Sequence, residues 1–426
     1  MKKSRFDYKW IIAGLCFLMT FTVLGFCSSS KSLYISAITE ALSISRSSFS
    51  LNDSCRFITT SIVNIFFGSL VAHFGYKKLI GAGFISLIIS CLLYSFATSV
   101  YVFYIGGVFL GLGLAWTTTT MVGAVIGKWF KENRGTVMGA ILAANGVGAA
   151  LAMQIVSPII YQKGTMFGYR DAYRLIALIL LGIGALIMIF FKENPEKNTA
   201  EESSSHKKKK RGQTWEGIEF SEATKKVYFY AALACIFATG MVLQGITGIA
   251  APLMRDTGFK DSYVATVLSV HSLALTVFKF SVGVIYDKFG LRKTANTCFV
   301  TAIAVMVILA SLTNTKTGMI LAMIYGIFSS LALPLETIML PIFAGDLFGE
   351  KSYNKILGII ASVNTAGYAL GAPLANLCFD ITGNYQIALY AACGLMAVTT
   401  IVMQFVITSA KKQKIVIESK NDIAES

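Results

Sequence analysis

Charge is scarce in this chain. Only 14% of its 426 residues are Asp, Glu, Lys or Arg and only six are proline, while 55% are hydrophobic and the mean hydropathy is +0.66. A soluble domain needs far more polar surface, so the composition excludes one and leaves an integral membrane protein. Histidine is scarcer still: His73, His206 and His271 lie far apart, and no metal-ligand spacing results. The eight cysteines (Cys16, Cys27, Cys55, Cys91, Cys235, Cys298, Cys378, Cys393) stand singly in apolar segments without a CxxC pair and read as small buried apolar residues. No nucleophile, acid and base cluster in any apolar segment. Neither catalysis, nor a metal, nor a cofactor is therefore expected.

What is present is a series of long apolar segments separated by short polar breaks, the pattern of α-helical spans rather than of a barrel. About twelve are expected, at roughly 9–35, 49–73, 78–98, 101–127, 136–161, 171–191, 227–253, 262–286, 293–313, 318–345, 354–379 and 383–409. Although Lys2, Lys3 and Arg5 precede the first, its length and the absence of a small-residue cleavage site favour a retained span over a secretory signal. The expected fold is an all-α membrane protein of two six-helix bundles, 1–191 and 227–409. They are joined by a basic linker, 192–226, and followed by a tail, 410–426.

The net charge of +15 is a matter of placement. Lys77, Lys78, Lys128, Lys131, Arg134, Lys288, Arg292, Lys293, Lys351 and Lys355 fall in every second connection, and the others are poorer. This bias predicts a multi-pass cell-membrane protein with both termini and the linker in the cytoplasm. It also makes nucleic acid an unexpected partner. The linker run Lys207 to Arg211 reads as a solvated stretch attracted to anionic lipid headgroups.

The halves repeat. Gly68, Gly75, Lys77 and Lys78 match Gly283, Gly290, Arg292 and Lys293, a shift of 215 residues; Gly139, Asn145 and Gly148 match Gly358, Asn364 and Gly367, a shift of 219. A parallel repeat about an axis normal to the membrane implies two bundles with a site between them near the midplane.

Within that frame the informative residues are ionisable groups inside apolar spans, which are costly and face cavities or partners. Lys279 lies eight residues before Asp287, about 12 Å at helical rise, so it falls near mid-span and beyond easy snorkelling. It is the first candidate for binding an anion, with a structural ion pair as the alternative. Its ammonium is a point charge without the fork of an arginine. Depth alone makes Lys31 an interfacial lysine. His271, two turns from Lys279 and rotated roughly 80° around the helix, either lines the same cavity or packs through hydrogen bonds. Glu336 is the acid inside the tenth span and the candidate for proton coupling, with a local hydrogen bond as the other reading. Asn145 and Asn364 offer amides to a carboxylate or bond helix to helix. Asp53 and Arg56, one turn apart, predict an intrahelical ion pair. Gly106, Gly107, Gly111 and Gly113 lie in an apolar span and read as helix packing rather than a phosphate loop.

GVIYDKFGLRK, Gly283 to Lys293, resembles the major facilitator superfamily signature G-x-x-x-D-[RK]-x-G with its trailing basic residues. The resemblance implies a gating motif of Gly283, Asp287, Lys288, Gly290, Arg292 and Lys293, in which Asp287 latches the cytoplasmic face. The first-half copy has Ala72 and His73 in place of the acid and base. Within the superfamily the chain is most similar to the oxalate:formate antiporters and monocarboxylate transporters, through GKWFKENRG (Gly127 to Gly135), Gly168-Tyr169-Arg170, Lys279 at the place of the substrate-pairing arginine, and Ser30-Lys31-Ser32. That likeness brings Lys31 forward as a second substrate or proton residue. Two departures stand out: Asn364 replaces the antiporters' second cation, and Leu275 replaces the aspartate of the animal-type transporters. With one firm cation, a singly charged carboxylate is the expected substrate, moved by proton symport or anion exchange in a monomer. The alternatives are a larger organic anion or a non-transporting membrane sensor.

Overall fold

The computed structural model describes residues 8–130, 134–162, 166–193, 217–349 and 351–425, apart from the side chains of 134–136, 280, 336, 354 and 417–425. The linker run Lys207 to Arg211 and the side chain of Glu336 thus lie outside the described residues. Among those described, all regular structure is helical.

Eleven helices are long and apolar enough to cross a membrane, and a pair bent by 65° makes twelve. They are α1 (Tyr8–Leu42), the bent α2 (Arg46–Ile65 and Phe67–Phe74), α3 (Tyr76–Phe96), α4 (Val100–Trp129), α5 (Val137–Ile160), α6 (Gly168–Phe190) and α7 (Val227–Asp256). Then come α8 (261–289), α9 (291–310), α10 (Lys316–Phe348), α11 (Lys355–Thr382) and α12 (Gln386–Val416). Polar residues mark several starts. Ser45 caps α2, its Oγ accepting from the Ser48 amide at 3.2 Å, and Thr315 caps α10 by accepting from the Gly318 amide at 3.1 Å.

The break between α8 and α9 is a single residue. Gly290 sits at φ 75°, ψ 174°, and its repeat counterpart Gly75, before α3, at φ 79°, ψ 167°. That region of backbone space is essentially open to glycine alone, so the repeated glycines are explained by conformation. Nothing lies within 4 Å of a Cβ built at Gly290. Gly290→Ala should therefore cost only the backbone strain, about 1–3 kcal/mol, and lower the melting temperature of the purified protein; an unchanged melting curve would refute that account.

Helices α1–α6 form one bundle and α7–α12 the other, and they meet along α2 with α11 and α5 with α8. Each bundle has the same tight crossing. A Cβ at Gly148 of α5 would meet the Phe21 backbone of α1, and one at Gly367 of α11 would meet the Phe237 backbone of α7. Small residues let apolar helices approach this closely when no hydrophobic effect drives them together.

Two spans differ from expectation in a way that matters. The first continues to Leu42 rather than ending near 35, so Lys31 lies eleven residues, about 17 Å, from its end. Around Lys31 the helix is irregular, with π-helical turns over Val23–Ser29 and a 3-10 turn over Lys31–Leu33. Such turns re-aim side chains and recur at functional sites. The tenth span is interrupted by a 3-10 turn, Leu333–Glu336, that begins beside Pro334.

Candidate functional site at the bundle interface

The first side of the site is a buried charge cluster. Lys31 of α1 bonds through Nζ to the Asp53 carboxylate of α2, and the same carboxylate oxygen lies 3.0 Å from Arg56 Nε. The three side chains are 12%, 22% and 6% exposed. The Arg56 guanidinium also donates from Nη1 to Ser28 Oγ at 2.9 Å and stacks 4.0 Å above the Phe57 ring. Phe57 in turn meets Tyr368 of α11, with ring centroids 5.3 Å apart, and so reaches the other bundle. The expected Asp53 to Arg56 pair forms one turn along the helix. What spacing alone could not reveal is that Lys31, 22 residues away, completes it.

From this cluster the site continues across α5 to α8. Ser29 Oγ donates to Asn145 Oδ1 at 3.4 Å. The next residue, Gly146, is the point at which α5 touches α8: a Cβ there would lie 2.6 Å from the Ser272 carbonyl oxygen and collide with the Thr276 hydroxyl. Lys279, half-buried, follows Thr276 by three residues, slightly less than one turn. Asn145 thus lies beside the contact of α5 with α8, Lys31 lies two residues from its partner Ser29, and Lys279 lies three residues from Thr276.

Asn364 is buried on α11, packed against Gly240 of α7, and its Oδ1 finds no hydrogen-bond partner among the described residues. A buried, unpartnered amide oxygen calls for an explanation in function or strain. His271 is placed differently. Its Nδ1 is 2.8 Å from Ser329 Oγ and 3.1 Å from Ser330 Oγ, its ring stacks over Tyr325 at 6.5 Å, and it is buried against α10. These contacts all lie inside the second bundle.

In the Gly283 to Lys293 motif, Asp287 and Lys288 are exposed at the end of α8, Arg292 donates to Thr408 Oγ1 at 2.6 Å, and Lys288 and Lys293 flank the Phe289 ring at 5.3 and 5.5 Å. In the first half, where the motif has no acid, the Glu193 carboxylate accepts from the Lys77 amide at 2.8 Å in the first turn of α3. An anion there suits the positive helix end.

At the opposite end of the molecule the two bundles are tied by residues that no motif announced. Arg46, at the start of α2, donates from Nη2 to Asp256 of α7 at 2.8 Å and from Nη1 to Tyr385 at 3.0 Å, with its guanidinium 4.0 Å over Phe379. Asp380 of α11 accepts from the Arg46 and Ser47 amides at 3.1 and 2.9 Å, capping α2 from the other bundle. Deeper in, Asn376 donates to Ser50 Oγ at 2.8 Å and accepts from Tyr385 at 2.7 Å. A second tie runs through Arg255, which lies 3.4 Å from Glu40 and 2.8 Å from Asp261 and covers the Tyr161 ring at 3.9 Å. The only sequence signal for these residues is that they are charges at helix ends. Their carboxylate partners in the other bundle are more than 200 positions away, 210 for Arg46 and Asp256 and 215 for Arg255 and Glu40.

Known proteins bear out this architecture. Among curated relatives, human monocarboxylate transporter 2 is 26% identical over 355 residues, spanning 77% of this chain and 70% of that protein. An uncharacterized MFS-type transporter of Bacillus subtilis (strain 168), YcxA, is 21% identical over 412 residues, spanning 92% and 95%. The crystal structure of the nucleoside transporter NupG superposes with a TM-score of 0.74 at 16% identity, covering 94% of this chain and 99% of that one, a likeness of fold. The sequence profile of the Major Facilitator Superfamily matches residues 12–259 and 232–423, which together take in both bundles. That match covers nearly the whole chain, and the chain belongs to the Major Facilitator Superfamily.

Proposed function

We propose that this transporter moves a small carboxylate, a monocarboxylate by preference, by alternating access, with proton symport or anion exchange. The observation that carries the reading is Lys31: an ammonium about 17 Å inside its span, next to a second buried cation at the seam between bundles. Buried charge at that depth is costly and is retained where it does work. Lys31 and Arg56 are two cations against the one acid Asp53, so the cluster attracts an anion. Lys279 supplies a further cation from the second bundle, and Asn145 and Asn364 supply amides. The human relative, a monocarboxylate transporter by name, supports the same substrate class. His271, packed against α10, contributes to the second bundle rather than to substrate contact.

For the alternating motion, the Arg46 and Arg255 ties are candidates for the gate that parts, and the Asp287 motif for its counterpart at the other end. The positive bias of alternate connections supports an orientation with termini and linker in the cytoplasm, which makes the tied end the outer one. The linker lysines would then meet anionic lipid.

The test is uptake by purified protein in proteoliposomes, with counterflow of labelled mono- and dicarboxylates at two pH values. A charge-assisted bond to substrate contributes about 1.5–3 kcal/mol, so Lys279→Ala and Lys31→Ala should each lower carboxylate uptake about 10- to 150-fold. Full uptake by Lys279→Ala would refute its role, and a protein that accumulates no anion at all would be a sensor instead.

A further inference from the structure

Asp53 is the one acid in the buried cluster, and its position is unusual for a purely structural partner. One carboxylate oxygen is shared by Lys31 on α1 and Arg56 on its own helix, so it neutralises the cation that the substrate reading needs to be available. Arg56 is anchored independently, by Ser28 and by the Phe57 ring, whereas the Asp53 carboxylate is the partner found for Lys31 among the described residues. The other titratable groups facing Asp53 are the hydroxyls of Tyr94 on α3 and Tyr173 on α6. Tyr94 is already committed as donor to Asn52 Oδ1 at 2.7 Å. The acid therefore has two cations and two neutral phenols around it, and Lys31 is the contact that a second carboxylate would contest.

We propose that Asp53 is the proton-carrying residue of the transport cycle: it takes a proton from water as it yields Lys31 to the substrate carboxylate, and returns that proton on the far side when the substrate leaves. This rests on the reading that a carboxylate binds at Lys31. Two carboxylates sharing one ammonium resist joint ionisation, so the arriving anion favours a proton on Asp53. By linkage a proton on Asp53 tightens anion binding by the same factor. The empty, ionised cluster is internally paired, and so is the cluster holding both proton and anion. The cluster with a proton and no anion leaves two buried cations without a counter-ion, a state strongly penalised. Only the two paired states can close and cross, so proton and anion move together. One proton and one monocarboxylate carry no net charge.

Binding can be tested without any substitution. Adding L-lactate to the purified wild-type protein in weakly buffered detergent solution should draw protons from the medium, one per bound anion, and the dissociation constant should fall as pH falls. Binding with no proton uptake would overturn the proposal. In proteoliposomes, Asp53→Asn should lose lactate accumulation driven by a pH gradient relative to lactate exchange, by a factor in the range of about 5–150 expected for a coupling free energy between sites. Asp53→Glu, which keeps a titratable acid, should recover it. Gradient-driven accumulation in Asp53→Asn with an unchanged ratio to exchange would refute the role of Asp53 while leaving carboxylate transport intact. Absence of lactate binding and exchange in the wild type would instead remove the substrate reading and the proposal with it.

Discussion

Arg46→Ala should loosen the tied end of the protein. The guanidinium makes two bonds to Asp256, one to Tyr385 and a stacking contact on Phe379, all across the seam. Its own side chain is 10% exposed, but that of Asp256 is 34% exposed. The pair is therefore worth less than a fully buried one, whose breakage costs about 3–5 kcal/mol. Solvent screening brings the expected loss to about 1–2 kcal/mol, which shifts an equilibrium between tied and parted states about 5- to 30-fold. Asp380 still caps α2 in the variant, because it holds backbone amides, so the helix itself persists. Labelling of a reporter cysteine introduced by Ser47→Cys with a membrane-impermeant maleimide should accelerate by that factor. Arg46→Lys, which keeps the charge but not the two-pronged geometry, should fall between. Equal labelling rates with and without Arg46 would mean that the tie does not hold this end.

Gly148→Val should prevent stable assembly of the first bundle, and Gly367→Val of the second. A Cβ at Gly148 would sit 2.9 Å from the Phe21 carbonyl carbon, and one at Gly367 would sit 2.9 Å from the Met241 amide nitrogen. Both obstacles are backbone, which cannot rotate away, so the helices must separate over several turns. Overpacking a core costs about 1–3 kcal/mol, and more where nothing can yield. The control comes from the same repeated motif. Gly139 and Gly358 have nothing within 4 Å of a built Cβ, so Gly139→Ala and Gly358→Ala should be stabilising by up to about 1 kcal/mol through helix propensity alone. Size-exclusion profiles and melting curves in detergent separate the two pairs. Comparable behaviour of Gly139→Ala and Gly148→Val would contradict the crossing geometry.

That contrast shows where sequence reading stopped. Gly139, Asn145 and Gly148 repeat as Gly358, Asn364 and Gly367, and the repeat alone implied paired bundles. It could not say which glycine bears on a neighbouring backbone: the two in each copy are nine positions apart, which puts them on opposite faces of the helix. Lys31 shows the same limit in depth. Hydropathy ended its span near 35 and so made it interfacial, whereas the helix runs to Leu42 and buries it. For His271 the sequence leaves two roles open, and its hydrogen-bond partners Ser329 and Ser330 are visible only in three dimensions.

By itself the sequence determined the class of protein, the number of spans and the repeat. These follow from local quantities: mean hydropathy over about 20 residues, the length needed to cross a bilayer, and glycines demanded by backbone angles such as those at Gly75 and Gly290. It also placed Lys279 well inside a span by counting residues to Asp287. Only the tertiary structure decided which charges meet. The Lys31 pairing with Asp53 joins residues 22 apart on different helices, and the Arg46 pairing with Asp256 joins residues 210 apart in different bundles. Such pairings depend on the relative rotation and crossing of helices, set by close contacts such as Gly25 on Gly148 and Gly146 on Thr276. No window of sequence encodes that rotation, because it is fixed by the packing of surfaces that are distant along the chain.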